Sequence, residues 1–244
     1  MKRYGLIGYP LGHSYSATYF ARKFEREGIA DCRYDLYELP SLDKLQELLA
    51  AEPELRGFNV TIPYKQQIIP LLDDLSPEAR AIGAVNCVRR EGTKLVGYNT
   101  DVLGFRSSLE EFLGAAEIDR ALVLGTGGAA QAVQYALAQM ELPFDLVSRN
   151  PRQGNYTYDD LTEEVIASHH LIINTSPVGM YPKIEEAPSI PYAFVTPSHY
   201  LFDLIYNPEQ TQFLRYGEQR QAHTCNGLQM LFRQAEGAWA IWNR

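Results

Sequence analysis

The stretch that decides the fold is RALVLGTGGAAQAVQYALAQMELPFDLVSRN, residues 120–150. It opens with ALVL (121–124), an uninterrupted apolar run of strand length, and glycines follow directly. An Ala-rich segment of helical character comes next, and then a second short apolar strand, FDLV (144–147). Strand, tight turn, helix and strand form the unit from which parallel α/β sheets are built. The stretch therefore predicts an α/β fold.

The glycine turn VLGTGGAAQ (123–131) has the form G-x-G-x-x-A through Gly125, Gly127 and Ala130. A lone match to this pattern is weak, but here a strand precedes it and a helix follows, which is the context that it needs. Small residues let backbone amides approach a pyrophosphate, and a helix N-terminus favours its negative charge. The alternative is a strand-to-helix turn that binds nothing. The context favours a dinucleotide site.

The end of the next strand distinguishes the two nicotinamide cofactors. NAD sites usually carry Asp or Glu there to bind the ribose 2′-hydroxyl, whereas this chain has Ser148, Arg149 and Asn150. A guanidinium can bind a 2′-phosphate by charge-assisted hydrogen bonds, which a carboxylate would oppose. The alternative is that Arg149 is only a solvated loop residue. The missing carboxylate favours NADP as the cofactor.

Composition narrows the class of protein. The chain has 244 residues, of which 45% are hydrophobic, and a formal net charge of −8, so we expect no nucleic-acid partner. No apolar run approaches the roughly 20 residues that span a bilayer, and the start resembles a strand more than a signal peptide. Cys32, Cys87 and Cys225 form no CxxC pair, which is typical of reduced thiols. We expect a cytoplasmic protein without a membrane partner, either a monomer or a homodimer.

Strands alternate with helices along the chain, which predicts largely parallel sheets. Two segments before residue 101 have sequence patterns that predict a particular element. KQQIIPLLDDL (65–75) predicts a helix, whole or broken at its proline. GAVNCVRREGTKLVGYN (83–99) predicts a hairpin of two strands.

Polar groups interrupt otherwise apolar stretches of the first hundred residues, mostly at strand ends. They are Ser14, Ser16, Asn59, Thr61, Lys65, Asn86 and residues 99–101. Open α/β sheets bind ligands at such ends. A neutral polar cluster with one lysine and one aspartate suits a small hydroxylated anion, since serine hydroxyls can bind its carboxylate. No metal is expected, because the five histidines lack ligand spacing.

Eight segments of the chain, in order, resemble the shikimate dehydrogenase family, NADPH-dependent enzymes of aromatic biosynthesis. They are GHSYS, NVTIPYK, GAVNC, YNTDVLG, GTGGAA, NTSPVGM, DLIYNP and GLQMLFRQA. Each segment alone is modestly specific, whereas eight in order, spread over nearly the whole chain, are specific.

The resemblance implies a role for each matched position. Lys65 and Asp101 correspond to the catalytic pair that handles the proton when 3-dehydroshikimate is reduced to shikimate. The substrate-binding positions are Ser14, Ser16, Asn59, Thr61, Asn86, Tyr206 and Gln234. The cofactor-binding positions are Gly125, Thr126, Gly127, Gly128, Ala129, Ser148, Arg149, Asn150, Leu204 and Gly227. The last two match positions near the nicotinamide.

The resemblance also implies two α/β domains. Residues 1–101, with a C-terminal helix in 226–244, would form a substrate-binding domain, and residues 102–225 a Rossmann-type NADP domain. A cleft between them would hold the substrate against the nicotinamide. The chain departs from frequent family residues at Ala17, Tyr19, Phe20, Tyr64 and Cys87. Because both serines and the arginine remain, carboxylate and 2′-phosphate binding are still expected.

Ordinary structural explanations exist for single residues. Lys65 alone would be a solvated lysine at a helix start, and Asp101 alone a helix N-cap. Asn86 could satisfy a bend, Tyr206 could belong to a core, and Gln234 could lie on the surface. Two other functions also stay open: a sister dehydrogenase that oxidises quinate as well, with NAD, and a non-catalytic ligand sensor that keeps the fold.

Overall fold

The computed structural model of the chain describes residues 1–12 and 15–244. It divides into two compact units: unit 1 comprises Met1–Thr100 and Gln234–Arg244, and unit 2 comprises Asp101–Arg233. Each unit combines a β-sheet with helices, so the predicted α/β fold is confirmed. In the described residues, no helix is both long and apolar enough to cross a membrane.

Unit 1 contains a six-stranded sheet. Its strands are β1 (Lys2–Gly8), β2 (Cys32–Glu38), β3 (Leu55–Val60), β4 (Asp74–Leu75), β5 (Cys87–Glu91) and β6 (Lys94–Tyr98). Its helices are α1 (Tyr15–Arg26), α2 (Leu45–Ala51) and α3 (Pro77–Ile82). The strand order is β2-β1-β3-β5-β6-β4, in which β5 runs antiparallel to both of its neighbours. The predicted hairpin is β5 with β6.

The alternation of side chains gives the unit 1 sheet two buried faces. Ile7 and Phe58 belong to one core, together with residues of α2. Tyr4 belongs to the other core, which contains Phe20 of α1 and Trp242 near the C-terminus. The Trp242 indole donates a hydrogen bond to the carbonyl of Val88 at 3.0 Å. The C-terminal segment thus completes the second core of unit 1.

Unit 2 contains a five-stranded sheet. Its strands are β7 (Ala121–Leu124), β8 (Phe144–Val147), β9 (Leu171–Asn174), β10 (Tyr200–Asp203) and β11 (His223–Cys225). The helices from residue 101 onward are α4 (Asp101–Leu113), α5 (Gly128–Gln139), α6 (Glu163–Ala167), α7 (Gln212–Gln219) and α8 (Leu228–Trp242). The strand order is β11-β10-β9-β7-β8, and all four pairs are parallel. Consequently the carboxyl ends of these strands share one edge of the sheet.

Helices cover both faces of the unit 2 sheet. Phe105 of α4 and Val133 of α5 pack in one core, and Ile166 of α6 and Phe213 of α7 pack in the other. A parallel sheet needs this double cover because its strands are apolar on both sides. The segment 120–150 forms β7, α5 and β8 in the predicted order.

The helix predicted over residues 65–75, whole or broken at its proline, forms only as a short 3-10 helix at Ile69–Leu71, and β4 follows it. The proline in the turn has no N–H with which to extend a helix. Beyond it, Asp73 bonds to Leu95 in both directions, with N···O distances of 2.9 and 2.7 Å, which draws the chain onto the sheet edge. Long-range pairing therefore overrides local helical propensity.

A buried lysine ties α1 to α8 within unit 1. The ammonium of Lys23 donates to Glu236 at 2.8 Å and to Glu27 at 3.0 Å, and its side chain is only 5% exposed. Tyr19 also donates to Glu236. These contacts hold the helix that begins beside Ser16 against the helix that carries Gln234.

His199 is a buried histidine in unit 2, 1% exposed. Its Nδ1 lies 3.1 Å from the Thr196 N–H, and its Nε2 lies 3.0 Å from the carbonyl of Ile166. One ring nitrogen accepts while the other donates, so this environment fits the neutral ring. The pKa of His199 is lowered, mainly because the ring is buried.

We expect His199 to make the protein less stable in mild acid. Because its pKa is lower in the folded state, the unfolded chain binds the proton more readily, and the free energy of unfolding falls as pH drops below about 6.5. His199→Asn keeps an acceptor but does not titrate, so its loss of stability should be shallower, by at most about 1.4 kcal/mol per pH unit. Urea denaturation across this pH range measures the difference.

The matched control is His223→Asn, at an exposed histidine of the same unit. It should keep the wild-type dependence on pH. Identical slopes for wild type and His199→Asn would show that His199 does not contribute to the acid sensitivity.

Candidate active site

Two predicted site residues of unit 1, Thr61 and Lys65, follow the carboxyl end of β3. The carbonyl of Lys65 accepts from Val85 N–H at 2.7 Å, and the carbonyl of Asn86 accepts from Val60 N–H at 2.8 Å. These two bonds bring the segment after β3 alongside the segment that leads into β5. Thr61 directly follows Val60, so it lies next to this junction, where it is half-buried.

Asn86 is the centre of a buried polar cluster. Its Nδ2 donates to Thr100 Oγ1 at 3.0 Å and to Gln234 Oε1 at 3.3 Å. Its Oδ1 accepts from Thr100 N–H at 2.7 Å. The fold therefore brings Asn86 and Gln234 together, although they are far apart in sequence. Thr100 is a third member of the cluster, and the sequence places it among the polar residues 99–101 at a predicted strand end.

Asn59 lies beside this cluster and donates a hydrogen bond to the backbone of Asn86. It is 5% exposed, its Nδ2 donates to the carbonyl of Asn86 at 3.2 Å, and its Oδ1 accepts from Tyr34 OH at 2.9 Å. Both ends of the amide thus bind neighbouring protein groups. A substrate contact by Asn59 stays a prediction.

The predicted carboxylate site and catalytic pair are only partly described. Ser14 lies outside the described residues, and Ser16 is buried in the first turn of α1. Lys65 is half-buried in unit 1, whereas Asp101 is 5% exposed and opens α4 in unit 2. That these two side chains act as a pair stays a prediction.

The glycine turn of unit 2 fits a pyrophosphate. Gly125 has φ +119°, and a Cβ there would lie 2.8 Å from Thr175 Oγ1, so the position requires glycine. At Gly127 a Cβ would meet no heavy atom within 4 Å, which leaves the approach open. Gly127 is also the N-cap of α5, without a side-chain cap for the first N–H groups. Thr126, Gly128 and Ala129 lie between and beside these positions. Free helical N–H groups beside an open glycine are what an anion needs.

The residues after β8 fit a 2′-phosphate. Ser148 Oγ accepts from Asn150 N–H at 3.1 Å, and Asn150 Oδ1 accepts from Arg152 N–H at 3.1 Å. This bonded turn leaves the side chain of Arg149 exposed at the carboxyl end of the strand beside β7. The segment 148–152 carries no carboxylate.

Two of the predicted nicotinamide residues contact one another. Gly227 N–H donates to the carbonyl of Ile205 at 3.0 Å, and a Cβ at Gly227 would overlap the carbonyl of Leu204. Tyr206, predicted to contact the substrate, is half-buried two residues after Leu204. The close approach requires glycine at position 227.

Asp203 is a buried carboxyl that was not among the predicted site residues. It is 0% exposed, and burial raises its pKa to about 7, although hydrogen bonds from Thr211, Ile205 and Asn174 act in the opposite direction. In the sequence, Asp203 begins the segment DLIYNP. Across residues 1–12 and 15–244, no group of three His, Cys, Asp or Glu side chains is arranged to hold a metal ion.

The fold and these residues define a class: α/β proteins of two units, one of which carries a dinucleotide-binding turn. Residues 6–88 match the family model of the shikimate dehydrogenase substrate binding domain. Shikimate dehydrogenase (NADP(+)) of Caldicellulosiruptor saccharolyticus is 37% identical to this chain over an alignment 258 positions long. The alignment covers 99% of this chain and 92% of that protein. This chain therefore belongs to the shikimate dehydrogenase family.

Solved structures agree with this membership. Shikimate 5-dehydrogenase from Thermus thermophilus, in complex with NADP(H) and shikimate, matches with a TM-score of 0.88 and 30% identity, covering 99% of this chain and 93% of that one. Quinate dehydrogenase from Corynebacterium glutamicum, in complex with NAD, matches with a TM-score of 0.87 and 28% identity, at the same coverage.

Proposed function

We propose that this chain catalyses the reversible reaction shikimate + NADP⁺ ⇌ 3-dehydroshikimate + NADPH + H⁺. The observation that carries the proposal is family membership over nearly the whole chain. The open glycine turn supports a dinucleotide cofactor, because it fits a pyrophosphate, and the exposed Arg149 supports NADP over NAD, because a guanidinium can bind a 2′-phosphate.

Proton transfer is the task we assign to Lys65. Reduction of a ketone adds a hydride to the carbonyl carbon and a proton to the carbonyl oxygen. Bound NADPH supplies the hydride. In that direction the Lys65 ammonium donates the proton, and in shikimate oxidation its amine accepts it. Asp101 would accept hydrogen bonds from both the ammonium and a substrate hydroxyl, which aligns the two groups for proton transfer.

The polar cluster around Asn86 provides the selectivity for a hydroxylated ring in this proposal. Asn86, Thr100 and Gln234 bind one another, so their amides and hydroxyl are held in fixed directions. In this proposal the fixed cluster forms hydrogen bonds to the hydroxyls of the ring, and an analogue that lacks one of these hydroxyls loses that bond. The hydroxyls of Ser14 and Ser16 would bind the substrate carboxylate.

Loss of both serine hydroxyls should weaken substrate binding. In the variant Ser14→Ala with Ser16→Ala, we expect the KM for shikimate to rise about 10-fold or more, because hydrogen bonds to a charged group contribute about 1.5–3 kcal/mol. The KM for NADP⁺ should stay constant. Steady-state kinetics with each substrate varied measures both values. An unchanged KM for shikimate would show that the substrate carboxylate binds to other residues.

An absorbance assay of nicotinamide reduction tests the proposed reaction. The purified chain is offered shikimate or quinate, each with NADP⁺ or NAD⁺. We expect the highest kcat/KM with shikimate and NADP⁺. A preference for quinate and NAD⁺ would support the sister activity, which the likeness to quinate dehydrogenase keeps as the second candidate. No turnover in any combination would favour a ligand sensor.

We also propose that the enzyme is cytoplasmic and acts as a monomer or a homodimer. Its three cysteines, all within the described residues, form no disulfide, which suits a reducing compartment. Size-exclusion chromatography with light scattering would distinguish the two oligomeric states.

A further inference from the structure

Asp203 joins three segments at the carboxyl edge of the unit 2 sheet. Its Oδ1 accepts from Asn174 Nδ2 and from Ile205 N–H, both at 3.0 Å. Its Oδ2 accepts from Thr211 Oγ1 at 2.6 Å. Asn174 ends β9, Ile205 lies in the turn after β10, and Thr211 is the N-cap of α7. One carboxyl group therefore binds the end of a neighbouring strand, its own turn and the next helix.

The network continues into the turn after β9. Asn174 Oδ1 accepts from Ser176 Oγ at 2.7 Å and from Ser176 N–H at 3.1 Å. The carbonyl of Asn174 accepts from Leu204 N–H at 3.0 Å. The backbone of Leu204 is thus fixed from β9, while its neighbour Asp203 is fixed through its side chain.

The turn that Asp203 fixes is the one that packs against Gly227. Gly227 N–H donates to the carbonyl of Ile205, whose own N–H donates to Asp203. The close approach of Gly227 to Leu204 leaves no space for adjustment. A shift of this turn would therefore move Leu204 and Gly227 together.

We propose that Asp203 is a positioning residue for the nicotinamide end of the cofactor, acting through Leu204 and Gly227. The proposal rests on the proposed function and on the family resemblance, which implies that these two residues lie near the nicotinamide. Asp203 itself is 0% exposed, so it acts through its neighbours and touches no ligand. The Asp203 carboxyl bonds to Asn174, Ile205 and Thr211 and to neither the glycine turn nor Arg149, so we expect its loss to affect the nicotinamide end more than the phosphate contacts.

The physical basis is the cost of an unpaired buried donor. Asp203→Ala removes one acceptor group and leaves Asn174, Ile205 and Thr211 with donors in a dry environment. The turn would move to satisfy them. Asp203→Asn keeps Oδ1 as the acceptor of two bonds, and its amide can donate to the Thr211 hydroxyl, so it should largely restore the turn.

The test compares two ligands of unit 2 by calorimetry: NADP⁺, and adenosine 2′,5′-bisphosphate, which lacks the nicotinamide. For Asp203→Ala we expect the Kd of NADP⁺ to rise about 10-fold, while the Kd of the bisphosphate changes less than about twofold. We also expect kcat to fall about 10- to 100-fold with an unchanged KM for shikimate, because a misplaced hydride donor reacts slowly. Asp203→Asn should recover most of both losses.

Asp145→Asn is the matched control, since Asp145 is a mostly buried carboxylate early in β8 that binds Arg120 and His169. It should lower stability and leave both ligands and kcat unchanged. If Asp203→Ala does not fold, Thr211→Val removes the bond to Asp203 Oδ2 and the cap bond from Leu214 N–H but leaves both bonds to Asp203 Oδ1, and the same selective loss for NADP⁺ is expected at smaller size.

Equal weakening of both ligands, or no weakening of either, overturns the role of Asp203. Failure of the proposed function gives a different result: the wild type binds NADP⁺ but does not oxidise shikimate. In that case the comparison of the two ligands still decides the role of Asp203. A wild type that binds no NADP⁺ overturns both proposals.

Discussion

Replacing Lys65 with alanine should lower kcat for shikimate oxidation by about 10²- to 10⁴-fold, the range that general acid–base catalysis contributes. The KM for NADP⁺ should stay near the wild-type value, because Lys65 belongs to unit 1 and the glycine turn to unit 2. The amine is removed without loss of a core side chain, since Lys65 is half-buried. Stopped-flow and steady-state measurements of NADPH formation give both quantities.

The matched control for Lys65→Ala is Lys94→Ala, at an exposed lysine of β6 in the same unit. This variant removes an identical charge and should keep the wild-type kcat. If Lys65→Ala keeps kcat within about threefold of wild type, Lys65 is not the proton-transfer group, and the acid–base role must belong to another residue.

A double-mutant cycle tests whether Lys65 and Asp101 act as a pair. Asp101→Asn keeps the shape of the side chain and removes its charge. If the ammonium and the carboxylate cooperate in proton transfer, the double variant should be about as slow as Lys65→Ala alone, because residues that act as a unit are strongly non-additive. Additive losses would show that the two groups work independently.

The sequence predicted those elements whose signal is local. The segment 120–150 contains the whole pattern of strand, glycine turn, helix and strand, and it forms β7, α5 and β8. The hairpin of β5 and β6 also follows from adjacent residues, with its turn at 92–93. In both cases the pairing partners lie close in sequence, so composition and periodicity are sufficient.

Elements that depend on distant partners were not predictable in the same way. Strand β4 is two residues long and exists because it pairs with β6, and the preceding Asp73 binds Leu95. The apolar run before it predicted a helix instead. Helix α7 and strand β11 have eight and three residues, and neither was predicted from the sequence.

The residues of the candidate site show the same difference between local and long-range signals. Arg149 and the glycine turn were predicted from chemistry that is visible in one segment. Asp203 was not, because its role depends on Asn174 and Thr211, which only the fold brings to it. A buried carboxyl in an otherwise apolar strand, LFDL (201–204), is the signal that could have indicated it.

Replacing Arg149 with alanine should change the choice between the two cofactors. We expect the KM for NADP⁺ to rise about 10- to 100-fold, because charge-assisted hydrogen bonds to a phosphate contribute about 1.5–3 kcal/mol. The KM for NAD⁺ should change less than about threefold, since NAD⁺ has no 2′-phosphate for the guanidinium to bind. Steady-state kinetics with each cofactor, at saturating shikimate, measures the ratio.

Arg152→Ala is the matched control, because it removes another exposed arginine three residues away while keeping the bond from its N–H to Asn150. If Arg149 alone binds the phosphate, Arg152→Ala keeps the wild-type preference, whereas equal losses in both variants indicate a diffuse field. Arg149→Asp goes further: a carboxylate repels the 2′-phosphate and can accept from the ribose hydroxyl of NAD⁺, so its preference should reverse. Equal weakening of NADP⁺ and NAD⁺ by Arg149→Ala would contradict the assignment, because a residue that recognises only the 2′-phosphate cannot affect a cofactor that lacks it.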